Sequence, residues 1–330
     1  MGYFPMVLHS TLNATAEGFD WITLGRNIIN GFSFGSIYAL FALGLVLIHK
    51  SSDVVNFGHG EMAMFFSYIG LSLMGLLLGV NISKPAAELP SQLGWEVFLP
   101  ALLGTLLFAA LMGLGIERFL LRPLAKASVL SQVMVTIGIG TLLYGLASWL
   151  WKAEPRAYPR IEAVSGPPFQ LGELALTRED LTFLSVAIVM ASGLFLFFRY
   201  TMVGIALRAI AQNPFAARLM GINVGRLNGL AWAMALMLAA LAGMLAAPKL
   251  QLEPGMMADV AVKSFAAAVL GGINSLSGAL LGGLLIGIID NLAGFYLPDG
   301  LRATIAFLII VAVLTIKPHG LLGKPLPKKV

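Results

Sequence analysis

Long apolar stretches separated by short polar segments occupy most of this chain. The apolar intervals without a charged residue are Asn27–Ile48, Met62–Ser83, Val97–Ile116, Ala127–Trp151, Leu181–Phe198, Leu227–Pro248, Ser264–Ile289 and the shorter Ala303–Ile316. A helix crosses the hydrocarbon core of a bilayer with about 20 apolar residues. The first six intervals therefore predict simple membrane crossings.

The seventh interval has a different internal pattern. Gly271, Gly272, Asn274 and Ser275 lie near its middle. Irregular backbone at membrane depth survives only where protein or a wet cavity surrounds it. The interval is compatible with one crossing or with two short segments around a break. The pattern thus predicts about eight or nine crossings, with a broken or re-entrant segment near residues 256–289.

Composition supports the same fold class. Hydrophobic residues make up 58% of the 330 residues and charged residues 11%, whereas soluble domains carry about a quarter charged residues. We predict an all-α polytopic membrane protein, with a polar leader at 1–26, one transmembrane domain at 27–316 and a basic tail at 317–330. The chain has no cysteine, which excludes disulfides and thiolate-bound metals.

The charges of the loops indicate the orientation. Basic residues predominate in the loop 117–126, in the loop 199–226 and in the tail, and such segments belong in the cytoplasm. They explain the net charge of +5 without a nucleic-acid partner. The loop 152–180 is balanced in charge and is assigned to the outer face, so the N-terminus is predicted outside and the C-terminus inside. This orientation requires an odd number of crossings after Pro248, which favours a split of the Gly-rich interval.

An enzymatic function is not indicated. His59 and Glu61 form an H-x-E pair, but the cysteine pair of a zinc deaminase is absent. No two histidines have the i, i+4 spacing of a helical zinc site, and no Walker A motif occurs. We predict a non-enzyme with no catalytic residue and no cofactor or metal site of its own.

Two polar insertions in apolar surroundings are candidates for a pathway or gate. The first contains Asn56, His59 and Glu61. One interpretation is a pore-side gating turn, and the other is an interfacial loop in which Glu61 stabilises the positive start of the next helix. The second insertion is typical either of a transport pathway or of tight helix packing. Its candidate residues are Lys263, Gly271, Gly272 and Asn274.

The basic loop 199–226 contains a predicted short helix. Asn213 is a favourable N-cap and Pro214 suits a first turn, so a helix is predicted from Phe215 to Met220, with Gly221 just past its end. Such a helix is a natural docking element, although positive-inside charge alone also explains the arginines. The candidate docking residues are Arg208, Asn213, Pro214, Phe215, Ala216, Ala217, Arg218 and Gly221.

Several segments together resemble a known family. They are Val55–Glu61, Ile116–Arg118 with Arg122–Pro123, Leu219–Asn223, Lys263–Ile273 and Lys317–Gly323. The chain resembles, from Asn30 to the tail, the permease subunits of bacterial branched-chain amino acid ABC transporters, and specifically the H-type subunit. Two positions depart from the pattern. Phe215 replaces the Glu usual in the importer docking motif, and Asn274–Gly278 lacks the Gly and Pro that relatives often carry.

The resemblance implies an ABC importer permease that forms the translocation pathway with a second permease subunit. Its further partners would be two cytoplasmic ATPase subunits, which hold the ATP, a soluble binding protein and the lipid of the bacterial inner membrane. The docking loop would carry ATPase motion to the membrane helices. We also expect little substrate selectivity in the permease itself, because few charges lie inside the predicted spans.

Two other functions stay open from the sequence. A urea or short-amide permease would keep the same architecture, and permeases of that kind often carry an extra N-terminal region. An ATP-independent channel or secondary transporter would need a membrane-embedded acid for ion coupling. Asp290 is the candidate for that acid, and it is expected near an interface.

Overall fold

The computed structural model describes residues 21–80, 89–125, 127–171 and 174–323. Its helices are α1 (Trp21–Ser52), α2 (His59–Leu77), α3 (Trp95–Gly115), α4 (Val129–Trp151), α5 (Arg178–Tyr200), α6 (Met202–Gln212), α7 (Pro214–Leu219), α8 (Val224–Leu250), α9 (Ala258–Gly271), α10 (Leu276–Tyr296) and α11 (Asp299–Ile316). A π-helix (Ile116–Leu121) continues α3, and a 3-10 turn covers Glu162–Val164. Most of the predicted leader, Lys126 and residues 324–330 of the predicted tail lie outside the described residues.

Seven of the described helices are long and apolar enough to cross a membrane, namely α1 to α5, α8 and α10. With the shorter apolar helices they confirm the all-α polytopic fold. The first helix begins at Trp21, earlier than the predicted start at Asn27. Several helices begin at a polar residue whose side chain accepts a first-turn N–H bond. These caps are Ser128, Thr177, Thr201, Asn213, Asn223 and Ser275.

The spanning helices differ greatly in burial. Within their most apolar stretches, 89% of the residues of α1 and 83% of those of α8 are buried, against 28%, 22% and 28% in α3, α4 and α5. Apolar side chains such as Leu107, Met134 and Val189 point outward from these last three helices. A helix that is apolar on every side belongs in a core or a membrane. The centre of the bundle is therefore α1 with α8, and α3 to α5 form its periphery.

Small residues join α1 to α10. A methyl group added at Gly287 would lie 2.2 Å from the Gly35 Cα, and one added at Gly283 would lie 2.4 Å from the Ala39 Cα. Such residues allow two helix backbones to approach closely. The C-terminal part of the Gly-rich interval is thus a packing surface.

The loops meet on two opposite faces. On the basic face, formed by residues 116–125, 199–226 and 317–323, Arg122 donates a hydrogen bond to the Gly225 carbonyl (2.7 Å). On the other face a β-bridge pairs Arg156 with Leu252. Short strands complete that face. They are β1 (Gln92–Leu93) parallel to β2 (Arg160–Ile161), and β3 (Phe169–Leu171) antiparallel to β4 (Leu174–Leu176).

The Gly-rich interval is split into two helices. α9 ends at Gly271 and α10 begins at Leu276, so three helical segments follow α8. This odd number agrees with the split favoured from the loop charges. With 14 residues, α9 is only about 21 Å long, which is shorter than a hydrocarbon core of about 30 Å. The segments at its two ends therefore have to complete the span.

Candidate functional site

The chain between α1 and α2 is non-helical and partly buried, with Val54, Asn56 and Gly58 buried and Asp53 and Phe57 exposed. We call residues 53–58 the first break. Phe57 donates its backbone N–H to Thr136 Oγ1 (3.2 Å), and a methyl group added at Gly58 would lie 2.3 Å from the Thr136 carbonyl oxygen. Thr136 lies in the interior of α4. The first break is therefore held among the helices, where protein surrounds its irregular backbone.

Asn56 and His59 shape the first break. Each is only 1% exposed. Asn56 Oδ1 accepts the Gly58 N–H (3.1 Å), and Asn56 Nδ2 lies 3.4 Å from His59 Nδ1. The His59 ring packs edge-on against Phe41, with ring centres 4.6 Å apart. Contacts within the chain therefore fix both side chains at the first break.

Clefts flank the first break on both sides of Phe57, which is 54% exposed. The apolar cleft has a volume of about 420 Å³ and lies between Phe57 and α1, α9 and α11, with Leu45, Val262, Phe265 and Phe307 in its walls. The Glu61 cleft has a volume of about 280 Å³ and lies against α4. It is lined by Phe57, Gly58, Glu61, Ile137, Thr141 and Tyr144. Phe57 is thus a common wall of an apolar and an acidic opening.

The second break, Gly272–Ser275, is closed by the chain itself. After α11 the tail returns to the end of α9, where Leu321 and Leu322 donate their N–H groups to the carbonyls of Leu270 (2.8 Å) and Gly271 (3.0 Å). The last carbonyls of a helix lack partners within the helix. The tail therefore supplies hydrogen bonds that α9 cannot make for itself.

Gly272 and Gly320 meet where the tail crosses this break. Their φ angles are +109° and +70°, in a region that strongly favours glycine. A methyl group added at Gly320 would lie 2.4 Å from the Gly272 nitrogen, and one at Gly272 would lie 2.7 Å from the Gly323 nitrogen. A side chain at either position would push the tail away. Asn274 is half-buried in the same turn.

A buried ion cluster joins α1, α9 and α10. Lys263 Nζ lies 2.8 Å from Asp290 Oδ1 and 2.5 Å from Asp259 Oδ2, and the Tyr38 hydroxyl donates to Asp290 Oδ2 (3.1 Å). The side chains of Lys263 and Asp290 are 5% and 6% exposed. Asp290 is buried in the bundle, where Lys263 and Tyr38 compensate its charge; its expected position near an interface stays a prediction.

A further ion pair was not singled out from the sequence. Lys249 Nζ lies 2.9 Å from Asp180 Oδ1 and 2.6 Å from Ser33 Oγ, and so ties α8 to α5 and α1. No sequence signal pairs these residues, because they lie on separate helices. The Asp259–Lys263 contact, in contrast, has the i, i+4 spacing of helical ion pairs and was detectable.

The predicted short helix of the basic loop is present as α7. Asn213 Oδ1 accepts the N–H groups of Phe215 and Ala216 (3.0 Å each), and Gly221 follows with φ +81°. Ala217, 4% exposed, packs with Ile210 and Val224. The outer side of the helix is apolar as well as basic, since Phe215, Leu219 and Met220 are 69%, 74% and 80% exposed beside exposed Arg218.

The loop after α3 is tied to the start of α8. Glu117, 4% exposed, pairs with Arg122 at 2.6 Å, and the same guanidinium donates to the Gly225 carbonyl. Glu117 lies in the π-helix, a form that is frequent at functional sites. A displacement of the loop 199–226 would therefore be transmitted to the end of α3 through Arg122.

Comparison with known proteins identifies the family. Residues 27–314 match the family described as branched-chain amino acid transport system, permease component. The chain belongs to this family. The high-affinity branched-chain amino acid transport system permease protein LivH of Escherichia coli K12 is 30% identical to this permease over 92% of the chain and 97% of LivH. The corresponding protein BraD of Pseudomonas aeruginosa is 29% identical, with the same coverage of 92% and 97%.

One solved structure also shows a distant likeness. It is an inward-facing ABC transporter described as metal-chelate type, with a TM-score of 0.45 and 15% identity over 88% of this permease and 85% of that chain. The family match confirms the resemblance inferred from the motifs. The roles of individual residues stay predictions.

The predicted pathway residues lie at three separate places in the structure. Asn56, His59 and Glu61 meet at the first break. Gly271, Gly272 and Asn274 lie at the second break, and Lys263 lies in the ion cluster. The rings of Phe57 and Phe265, 6.2 Å apart, connect the first break to α9, which also carries Lys263 and Gly271. The predicted docking residues lie on the basic face, where Pro214 and Arg218 line a pocket together with Asp53 and Val54 of the first break.

Proposed function

We propose that this permease is a membrane subunit of an ABC importer for branched-chain amino acids. The observation that carries the proposal is the family match over residues 27–314, supported by 30% identity with a high-affinity LivH across 92% of the chain. The proposed pathway forms with a second permease subunit. A soluble binding protein delivers the substrate, and no catalytic step occurs on this chain.

The energy for transport is proposed to come from two cytoplasmic ATPase subunits that bind the ATP. α7 is the proposed contact, since its exposed Phe215, Leu219 and Met220 offer an apolar surface beside Arg218. Ala217 holds the helix against Ile210 and Val224, so α7 moves as one body with its neighbours. Because Phe215 occupies the position of the usual Glu, the proposed contact combines apolar packing with the positive charge of Arg218.

The proposed location is the bacterial inner membrane, with the basic face in the cytoplasm. Positive-inside charge supports this orientation, which puts the N-terminus outside and the tail inside. The face that carries the Arg156–Leu252 bridge then meets the binding protein.

Reconstitution in liposomes tests this function. The permease is combined with its second permease, the ATPase subunits and the binding protein, and uptake of labelled leucine is followed with and without ATP. We expect ATP-dependent leucine uptake that Arg218→Glu abolishes. Arg226→Glu, a charge reversal outside α7, serves as the matched control and should retain uptake.

Other outcomes of the same assay would change the proposal. ATP-dependent uptake of urea without uptake of leucine would keep the architecture and replace the substrate. Flux through this chain alone, without ATP, would contradict an ABC importer and indicate a channel or secondary transporter.

A further inference from the structure

Glu61 is a partly exposed carboxylate without a partner among the described residues of this chain. It lies in the first turn of α2 and faces α4, where a methyl group added at Gly140 would lie 3.1 Å from Glu61 Oε2. Gly140 lies midway along α4. Among the residues that the structure describes, the Glu61 side chain makes no ion pair and no hydrogen bond. A lone acid thus lies between the first turn of α2 and the middle of α4.

The other internal carboxylates are compensated by this chain. Of the described residues, Glu117 pairs with Arg122, Asp180 with Lys249 and Asp290 with Lys263. Ionisable groups at membrane depth are costly and face a wet cavity or a partner of opposite charge. Glu61 faces a cavity of about 280 Å³. This open cleft leaves room for a counter-charge from outside the chain.

The surroundings of Glu61 fit a particular ligand chemistry. The apolar cleft shares the wall formed by Phe57, so a cationic group and an aliphatic group of one small molecule can occupy the two clefts together. The start of α2, whose first N–H groups carry positive partial charge, lies between the clefts and suits a carboxylate. An aliphatic amino acid has these three groups on one carbon skeleton.

We propose that Glu61 binds the α-ammonium group of the transported amino acid, whose aliphatic side chain packs on Phe57 in the apolar cleft. This inference rests on the proposed function and assigns a substrate contact to it. It also explains how a permease can be weakly selective. Glu61 recognises a group common to all amino acids, and the choice among side chains is left to the binding protein.

The first test compares transport by Glu61→Gln with transport by Glu96→Gln in the reconstituted complex. Glu96 is the matched control, because it is an exposed acid in the first turn of another spanning helix. A hydrogen bond to a charged group typically contributes a factor of ten or more. We expect Glu61→Gln to lower leucine uptake at least about tenfold, while ATP hydrolysis stimulated by loaded binding protein persists. The control should transport normally.

The outcomes separate the two proposals. If the wild-type complex transports no leucine, the proposed function fails. If the wild type transports leucine and Glu61→Gln transports it equally well, the Glu61 contact is refuted while the function stands. If Glu61→Gln loses stimulated ATP hydrolysis together with uptake, the variant has a defect in assembly, and the effect of leucine on labelling of Thr141→Cys, measured with Glu61 intact, decides the contact.

A second test uses the absence of cysteine from the chain. Thr141→Cys places one thiol at an exposed position in the Glu61 cleft, and its reaction with cationic and anionic methanethiosulfonate reagents is followed in the assembled transporter. We expect faster reaction with the cationic reagent, loss of this preference in the Thr141→Cys/Glu61→Gln double variant, and slower reaction in the presence of leucine. Labelling rates that depend neither on the charge of the reagent nor on leucine would overturn the proposal. Such rates would instead indicate that Glu61 is permanently paired with a cation of the second permease.

Discussion

The backbone of the two breaks of this permease is stabilised in different ways. At the second break, the tail donates two N–H groups to the last carbonyls of α9, and glycine packs on glycine with no space for a side chain. At the first break, Thr136 and Asn56 hold the backbone, but Phe57 and Glu61 face clefts. Irregular backbone thus serves two purposes here. One break joins helices, and the other keeps an opening between them.

Helix α9 connects the two regions. Phe265 contacts Phe57 at the first break, Lys263 holds Asp290 on α10, and Gly271 accepts a hydrogen bond from the tail. Because α9 is short and touches both breaks, its displacement would alter the open break while the sealed break anchors its end. Substitutions in α9 and its contacts therefore test the contrast between the two breaks most directly.

The largest effect is expected from Lys263→Met. This variant leaves Asp290 buried without its cation, and removal of one partner of a buried pair costs about 3–5 kcal/mol. The free energy of unfolding of the purified permease, measured by titration with SDS, should fall by this amount. The double variant Lys263→Met/Asp290→Leu should recover most of the loss, because an apolar pair replaces the ion pair. An unchanged unfolding midpoint of Lys263→Met in the SDS titration would show that the ion cluster does not stabilise the packing of α9.

The next largest effect is expected at the sealed break. Gly320→Ala and Gly272→Ala each place a side chain at a positive-φ position and in close contact with neighbouring backbone. For each variant, these two effects together should lower the free energy of unfolding by about 2–4 kcal/mol. The same unfolding measurement checks this. Gly145→Ala is the control, since a methyl group there meets no atom within 4 Å, and it should be neutral or stabilising by up to about 1 kcal/mol. Equal tolerance at all three positions would mean that the tail does not seal the break.

Part of this architecture was predictable from the sequence. The spans followed from the apolar runs, and the split after Gly271 followed from glycine and small polar residues within such a run. The packing of the first break was not predictable, because the polar run Asp53–Glu61 does not indicate its contacts on other helices. Its position depends on the contact with Thr136 on another helix. The pairs Lys263–Asp290 and Lys249–Asp180 were missed for the same reason, since no periodicity relates residues on separate helices.

A smaller stability effect is expected at the open break. Phe57 is 54% exposed, so Phe57→Ala should cost only about 1–1.5 kcal/mol of unfolding free energy. Leucine uptake by the reconstituted complex should nevertheless fall, because the variant removes the common wall of the two clefts. A variant that unfolds as readily as Gly320→Ala would remove the contrast between the breaks.

The smallest effect is expected from Asn213→Ala, at the N-cap of α7. Loss of the cap of α7 should cost about 0.5–1 kcal/mol, and hydrogen exchange of the α7 amides should become faster while α9 and α10 stay protected. Faster exchange in α9 would show that the basic face and the breaks are not independent in the resting permease.

The most direct test of the central claim compares single cysteines at the two breaks in the assembled transporter. Thr141→Cys, in the Glu61 cleft, reports on the open break, and Asn274→Cys reports on the sealed one. Thiol labelling of each is measured with leucine-loaded binding protein, before ATP is added and after the ATPases are trapped with vanadate. We predict that the labelling rate at position 141 changes between these states while the rate at position 274 stays constant. Equal changes at both positions, or a change at position 274 alone, would contradict the assignment of the first break as the opening through which substrate passes.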